Sequence, residues 1–286
     1  MNIASGYSAL WFLLGFATIV TIAFFAWMAL RAAAKRRRKA VMNAPFPLKW
    51  EKFLKENIAV YDKLSELERG ELKRLTLLFL NGKEFEGGGG LEITDEIRVT
   101  VAAEASLLLL NRNITESYPK LHTVLVYPHA YVASSCDLVG SQGVIEDVPS
   151  VRLGESWQDG EIVLAWDHAK SGSRNFDDGR NVVLHEFSHK LDQASGTANG
   201  APILEDRSSY KTWGMVLSRD FCELCDEVEH HKKDVIDAYG ATNPAEFFAV
   251  ATETFFEKPA RLREKHPELF EELRKYYNLD PGKWKE

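Results

Sequence analysis

The sequence predicts a mainly helical α+β fold, and three observations support this. Short segments with strand character lie between residues 124 and 166, while helical patterns dominate from Asn181 onward. Strands that precede a block of helices, instead of alternating with them, are typical of the α+β class. The third observation is a long uncharged stretch at the N-terminus, whose composition predicts a membrane helix in front of the α+β body.

Each element of the body has a local signal. Apolar residues three and four apart predict two helices within residues 50–80 and another at 96–110. Short runs bounded by Gly, Pro and Asp predict strands at 124–127, 151–153 and 162–166. Helical spacing returns in four later segments, of which one begins near Asn181 and the others span 210–230, 245–256 and 267–277.

A run of four glycines, at residues 87–90, predicts a turn between a helix and a short strand at 91–93. A phosphate-binding loop is the alternative interpretation of such a run. It would need a Lys-Ser or Lys-Thr pair after the glycines, and none follows. The glycines therefore predict a turn and no nucleotide site.

The N-terminal stretch predicts a membrane anchor. Residues 1–30 carry no charged side chain, and residues 8–30 would form a helix about 35 Å long, enough to cross a hydrocarbon core. Six basic residues follow directly: Arg31, Lys35, Arg36, Arg37, Arg38 and Lys39. Such a cluster stays on the cytoplasmic side, next to anionic lipid headgroups. We therefore expect a single-pass protein of the inner membrane, which contacts lipid through this helix and has its body in the cytoplasm.

A cleaved signal peptide is the alternative, because three small residues at 32–34 resemble a cleavage site. The absence of a basic leading region and the length of the apolar run both argue against it. The predicted organisation is an anchor and basic linker at 1–44, followed by a body at 45–286. We divide the body into an N-terminal helical part at about 48–120 and a catalytic part at about 121–286.

Charge and cysteine content exclude other classes of protein. The net charge is −7, and residues 45–286 carry all 42 acidic residues but only 29 of the 35 basic ones. So acidic a body repels phosphate backbones, and we expect no nucleic-acid partner. The three cysteines, Cys136, Cys222 and Cys225, are an odd number, which is typical of a reducing compartment.

Residues 185–189, His-Glu-Phe-Ser-His, form the most informative motif in the chain. On a helix, residues four apart lie on one face, so His185 and His189 can bind the same metal ion. Glu186 then lies beside the ion, where a general base for water is needed. Apolar residues before and after the motif predict a buried helix. The motif indicates a zinc peptidase, and the alternative is an amphipathic helix that happens to carry two histidines.

A catalytic zinc ion usually has a third protein ligand. The apolar segment 243–256 begins with Asn243 before Pro244, which predicts a capped helix, and it contains only two acids, Glu246 and Glu253. They are seven residues apart, so they share one face of the helix. A buried carboxylate needs a partner, and a metal ion is a suitable one. Glu246 is the better candidate, and Glu253 remains open because it is closer to the polar end.

The chain resembles the Mlc titration factor A family of zinc peptidases. Residues 185–192 (HEFSHKLD) and 243–249 (NPAEFFA) carry most of the resemblance. Residues 90–95, 127–128, 154–157 and 160–166 add shorter matches in the same order. The catalytic end is also similar to anthrax lethal factor, in which a tyrosine stands seven residues before the glutamate ligand.

The resemblance implies a zincin-like fold of the gluzincin type. It implies one zinc ion held by His185, His189 and Glu246, with Glu186 as base and Tyr239 as a donor in the transition state. It further implies aminopeptidase-like cleavage of a peptide or protein substrate and a possible role in sugar uptake. An edge strand often pairs with the substrate in zinc peptidases, and the predicted strand at 162–166 is our candidate.

Two alternatives to a membrane-anchored zinc peptidase remain open. The first is a regulatory binding protein that sequesters a transcriptional repressor, with peptidase activity secondary, because the family takes its name from such capture. The second is a structural domain without metal. Replacement of Glu186 separates catalysis from capture, and metal analysis tests the structural alternative.

Overall fold

The computed structural model describes residues 3–112, 114, 116–139, 144–152, 154–156 and 160–284. Its chain contacts divide into two compact units, Met1–Ala44 and Pro45–Glu286. Trp157 of the GESW match and Leu153 of a predicted strand lie outside the described residues, as does the side chain of Cys136.

The first unit contains a single helix, α1, over Ile3–Met42. Its segment Leu14–Met42 is long and apolar enough to cross a membrane, which is evidence from length and composition alone. The helix continues through the basic cluster without a break. Alanine, arginine and lysine all have high helix propensity, which explains this continuity.

Among the described residues, the second unit is mostly helical and contains six strands. Its helices are α2 (Leu48–Asn57), α3 (Glu66–Gly82), α4 (Asp95–Leu107), α5 (Trp166–Arg174), α6 (Val182–Gln193), α7 (Ser209–Glu229), α8 (Pro244–Glu257), α9 (Pro259–Lys265) and α10 (Pro267–Tyr277). Its strands are β1 (Glu84–Gly87), β2 (Thr123–Tyr127), β3 (Tyr131–Val139), β4 (Val144–Arg152), β5 (Gly154–Ser156) and β6 (Glu161–Ala165). Single turns of 3-10 helix occur at Tyr61–Lys63, Ala238–Ala241 and Pro281–Trp284. This composition confirms the predicted mainly helical α+β class.

Four of the strands form one sheet in the order β1-β2-β6-β5. β1, β2 and β6 are parallel, whereas β5 is antiparallel to β6. β6 is buried along most of its length and pairs on both sides, with Val124 opposite Ile162 and Glu155 opposite Val163. The expectation that the strand at 162–166 is an edge strand is therefore wrong. Among the described strands, β5 occupies that edge of the sheet.

The short strand predicted at 91–93 is also wrong, because the strand lies earlier, at β1. The glycines close the turn from β1 to α4 instead of a turn from a helix to a strand. The chain folds back so closely that a Cβ on Gly87 would lie 1.9 Å from the carbonyl oxygen of Leu91. A Cβ on Gly88 would lie 2.5 Å from the ring of Tyr127. Any larger side chain would clash at these two positions, which explains why residues 87 and 88 are glycine.

Some other elements differ from the prediction. Trp166 begins α5 instead of ending a strand. Residues 151 and 152 of a predicted strand are the end of β4, in a separate hairpin with β3. The motif helix α6 ends at Gln193. The predicted helix starts are confirmed, because Asn181 Oδ1 accepts a hydrogen bond from Leu184 N at 3.1 Å and Asn243 caps α8. These are local effects of capping side chains.

The core is built around two buried helices that hold α6 between them. Nearly all of α4 is buried, and so is every residue of α8 from Phe247 to Glu257. α6 contacts both helices. Because α6 is enclosed by helices with so few exposed positions, its side chains have well-defined surroundings.

Two buried acids lie behind the start of α6. Glu104 of α4 is fully buried, and its Oε1 accepts a hydrogen bond from Asn181 Nδ2 at 2.7 Å. Glu257 of α8 is also buried, and its Oε2 accepts hydrogen bonds from the backbone amides of Gly179 and Arg180. Burial raises the pKa of Glu104 to about 7 and that of Glu257 to about 8. The loop that enters α6 is thus fixed by carboxyl groups that favour the protonated form.

Glu104→Gln should remove a pH-dependent loss of stability. Because the pKa of Glu104 is about 7 in the folded chain, above its ordinary value of 4.5, its contribution to stability is fully present below about pH 4.5 and is lost as the pH rises through 7. Glutamine keeps an oxygen for Asn181 and has no charge. The stability of the variant relative to the parent should therefore increase from pH 5 to pH 8, by on the order of 3 kcal/mol at most. Urea unfolding at both pH values measures it.

Glu96→Gln on the same helix is the matched control, with the opposite sign. A hydrogen bond from Lys170 lowers the pKa of Glu96, so its ionised form stabilises the fold and the substitution should cost stability at pH 8. If Glu104→Gln gains no stability over the parent between pH 5 and pH 8, the buried carboxyl is not protonated as we infer.

Candidate metal centre

His185 and His189 lie one turn apart on α6 and face α8. Their ring centroids are 4.9 Å apart, and the two Nε2 atoms are separated by 3.2 Å. Both side chains are largely buried, with 14% and 11% of their surface exposed. The spacing of four residues on a helix explains why both histidines lie on the same face.

Glu246 brings a third donor atom to this location from the first turn of α8. Its Oε2 lies 3.0 Å from His185 Nε2 and 3.4 Å from His189 Nε2. Asn243 Oδ1 caps the helix and accepts a hydrogen bond from Glu246 N at 3.0 Å, which positions this residue. The three atoms form a group that is able to hold a metal ion.

The geometry of this group fits a tetrahedral zinc ion. Ligand atoms at zinc–ligand distances of about 2.0–2.1 Å lie about 3.3 Å apart on a tetrahedron. The separations of the three atoms, 3.0, 3.2 and 3.4 Å, match that value. Two imidazole nitrogens and one carboxylate oxygen are also a known donor set of catalytic zinc, in which the fourth position stays open.

Glu253 supports the centre from behind, a role that sequence reasoning did not identify. Its Oε1 lies 2.7 Å from His185 Nδ1, the ring nitrogen that faces away from the other donors. Its Oε2 accepts a hydrogen bond from Asn181 N at the start of α6. A carboxylate in this position holds a histidine ligand in one tautomer and one orientation. The seven-residue spacing to Glu246 was the signal for this role, since it puts both carboxylates on the face that meets α6.

The electrostatics of the three donors are strongly coupled. Burial acts to raise the pKa of Glu246, but hydrogen bonds with His185 and His189 outweigh it and hold this pKa at about 2. Burial likewise acts to lower the pKa of His185, but hydrogen bonds with Glu246 and Glu253 raise it well above its usual value. A metal ion bound by these atoms would compete with the proton that the two carboxylates favour on His185.

Glu186 follows the first histidine and is 6% exposed. Burial raises the pKa of its carboxyl, while the charges of His185 and His189 act to lower it. A carboxyl group with a raised pKa, next to the metal-binding face of α6, has the properties of a general base that must later give its proton up. It lies outside the set of three donor atoms.

Tyr239 lies at the open side of the centre. Its ring centroid is 5.9 Å from that of His185, and the residue is 53% exposed. It is part of the 3-10 turn Ala238–Ala241, in which Asp237 Oδ1 accepts a hydrogen bond from Tyr239 N at 3.0 Å. Asp237 also forms an ion pair with Arg180 at 2.9 Å. Because Arg180 precedes the cap of α6, this pair fixes the turn next to the histidines.

The structure thus brings all five predicted site residues into one region, with Glu186 and Tyr239 beside the three donor atoms. The other histidines lie elsewhere: His129 pairs with Asp167, and His230 pairs with Asp226. His266 is buried and contacts two aspartates. Among the described strands, β5 occupies an edge of the sheet and contacts α6.

A family model described as glucose-regulated metallo-peptidase M90 matches residues 32–278. "Uncharacterized protein slr2042" of Synechocystis sp. is 40% identical over 247 residues, which cover 86% of this chain and 89% of that protein. Mlc titration factor A of Klebsiella pneumoniae (strain 342) is 34% identical over 243 residues, which cover 84% and 88% of the two chains. Mlc titration factor A of Pectobacterium atrosepticum is 32% identical over 229 residues, or 79% and 84%.

The family model includes every residue of the metal centre, from the histidines of α6 to Glu253 of α8. It begins after the apolar part of α1 and therefore lies mainly in the second unit. Since the family model and the relatives agree over most of the chain, the chain belongs to the glucose-regulated metallo-peptidase M90 family, together with Mlc titration factor A.

Proposed function

We propose that this metallopeptidase is a zinc enzyme that hydrolyses peptide bonds, with His185, His189 and Glu246 as the metal ligands. The observation that carries the proposal is the convergence of three donor atoms at separations that suit tetrahedral zinc. We further propose that the body is a zincin-like domain of the gluzincin type. The helix with the two histidines and the glutamate of a second helix support this assignment.

The proposed chemistry divides among residues with different environments. Zinc, when bound, would polarise the peptide carbonyl and lower the pKa of a water molecule. Glu186 accepts the proton of that water at its carboxylate and passes it to the leaving amine. Tyr239 donates its hydroxyl hydrogen bond to the oxyanion that develops on the substrate. Glu253 keeps His185 in the tautomer in which Nε2 offers its lone pair to the metal ion.

The proposed substrate is an extended peptide that pairs with β5. This strand is the sheet edge that contacts α6, and an edge strand offers unpaired backbone groups to a peptide. We retain aminopeptidase-like cleavage as part of the proposal because of the family resemblance.

A regulatory function is the second candidate, and the names of the relatives favour it. Mlc titration factor A is named for an effect on Mlc, and this chain is 31–34% identical to such proteins over most of its length. We propose that this chain captures a transcriptional repressor and that this links it to sugar uptake. Capture and hydrolysis are separable, because capture does not need the base Glu186.

We also propose that α1 anchors the protein in the inner membrane, with the catalytic body in the cytoplasm. The segment Leu14–Met42 is long and apolar enough, and the basic cluster at its C-terminal end favours that side. Membrane lipid is then a permanent partner of the first unit.

Substitution of a metal ligand and substitution of Glu253 should weaken zinc binding to different extents. The parent should retain about one zinc ion per chain after gentle purification. Glu246→Ala and His189→Ala should lose it, because each removes a donor atom. Glu253→Gln should retain a bound ion with an affinity about 10- to 100-fold weaker, the scale for an outer-shell partner. Elemental analysis and competition with a zinc chelator measure these affinities.

Glu257→Gln on the same helix is the matched control, because Glu257 binds backbone amides and none of the donors. It should keep the parent's affinity for zinc. Release of zinc by Glu253→Ala but not by Glu246→Ala would show that the third ligand is misassigned, and the role of Tyr239 would then lose its support.

Substitutions at Glu186 and Tyr239 should separate catalysis from metal binding and from capture. Glu186→Gln should retain zinc and lose nearly all turnover, because it removes the base but no donor atom. Tyr239→Phe should retain zinc and lower kcat by roughly 10- to 1000-fold, the scale for one oxyanion donor. Peptide hydrolysis, zinc content and repressor pull-down are measured on the same preparations. Undiminished hydrolysis by Glu186→Gln would contradict the proposed mechanism, while loss of pull-down would contradict separable capture.

Reporter fusions should locate the body on the cytoplasmic side. Green fluorescent protein fused to the C-terminus should be fluorescent and membrane-bound, whereas alkaline phosphatase at the same position should be inactive, because six basic residues follow the apolar run. A chain that lacks residues 1–44 should leave the membrane fraction. The opposite reporter pattern, or a mature N-terminus near Lys35, would show that α1 is not this anchor.

A further inference from the structure

A second cluster of metal-ligating side chains lies between α7 and the junction of α9 and α10. His266 connects α9 to α10 and is 4% exposed, and Asp220 of α7 is 1% exposed. Glu223 lies one turn after Asp220 on α7 and is exposed to solvent. One donor atom of each residue lies within 4.8 Å of the other two. None of the three belongs to the centre on α6.

The orientation of His266 matches that of a metal ligand. Its Nε2 lies 3.1 and 3.2 Å from the two carboxylate oxygens of Asp234, so this nitrogen carries the hydrogen. Its Nδ1 therefore faces Asp220 Oδ2, at 3.5 Å. A carboxylate behind the far nitrogen is the arrangement that holds histidine ligands of metals. Glu253 plays the same part for His185 in the first centre.

Asp220 supplies a buried oxygen, Oδ2, that lies 3.5 Å from His266 Nδ1 but forms no hydrogen bond. Its other oxygen, Oδ1, accepts a hydrogen bond from Arg219 Nε at 2.8 Å. A buried oxygen without a hydrogen bond costs free energy unless a cation or a donor reaches it. A carboxylate oxygen of Glu223 belongs to the same group of possible ligand atoms.

Two basic side chains lie beside this location. Lys265 pairs with Asp234 and Glu227, and Arg219 pairs with Asp220 Oδ1 and Glu268. Both cations are thus bound to oxygens other than Asp220 Oδ2.

We propose that Asp220, Glu223 and His266 form a second, exchangeable site for a divalent first-row metal ion such as Mn²⁺ or Zn²⁺. One imidazole and two carboxylates suit such ions, whereas Ca²⁺ prefers six to eight oxygens. The donor atoms lie up to 4.8 Å apart and one ligand is exposed, so the site must contract around the ion. It is weaker than the first centre, whose donors lie 3.0–3.4 Å apart. A bound ion joins α7 to the α9–α10 junction.

Manganese titration of the full-length chain in detergent tests this site. His189→Ala serves as the background, because it removes a donor of the first centre. Loss of the signal of free Mn²⁺ in electron paramagnetic resonance should show about one bound ion per chain. Glu223→Gln in this background should weaken binding at least tenfold, and Ca²⁺ in equal amount should not compete. The melting temperature should rise with Mn²⁺ in the background but not in the double variant.

Glu229→Gln, an exposed change on the same helix, is the matched control and should bind as the background does. Glu223 is chosen because its side chain is exposed, so that its replacement should leave the fold intact, whereas changes at His266 would disturb the core. Asp220→Asn is the second variant. No Mn²⁺ uptake at about 1 mM, or equal binding by Glu223→Gln and Glu229→Gln, would overturn the proposal. Neither result bears on peptide hydrolysis, so the two proposals fail independently.

Discussion

The carboxylate of Glu253 is the contact on which the centre depends. One oxygen accepts a hydrogen bond from the backbone amide of Asn181, and the other meets the ring of His185 at 2.7 Å. A single side chain of α8 therefore fixes both the start of α6 and the orientation of its first histidine. Because Glu246 extends from the same helix, α8 determines the position of the third donor as well. The separations between the donors follow from the packing of these two helices.

Fixing the start of α6 in this way requires further buried acids. Glu104 and Glu257 surround Asn181 and the loop before it, and burial raises the pKa of each. Carboxyl groups that remain protonated avoid the cost of burying several negative charges next to Glu253.

Local signals predicted much of this molecule. Asn181 and Asn243 cap the helices that the sequence indicated, and the spacing of His185 and His189 was enough to place them on one face. The seven-residue spacing of Glu246 and Glu253 correctly indicated a shared face. It did not indicate which carboxylate supplies the third ligand atom and which lies behind His185. That distinction depends on the angle at which α8 crosses α6, which no local pattern contains.

Other failures have the same origin. β6 has the apolar composition of a strand, but its place inside the sheet depends on pairing with β2 and β5. The strand β1 has too little apolar character to be predicted, and it exists because it pairs with β2. The pairing of His266 with Asp220 and Asp234 has no local signal, because these partners lie 46 and 32 residues earlier. Residue patterns report the faces of single elements, whereas contacts between elements decide the roles of buried polar side chains.

Of the two groups that would meet the substrate, Tyr239 differs from the metal ligands in its support. Glu186 and the ligands come from two buried helices, but Tyr239 comes from a short turn and is half exposed. The pair of Asp237 and Arg180 holds this turn, and Gly240 packs it against α7 and α8. A ligand set needs rigid support because its atoms must keep their separations without the ion. A hydrogen-bond donor to a developing charge needs to reach its place only when substrate is present, and a half-exposed side chain allows that movement.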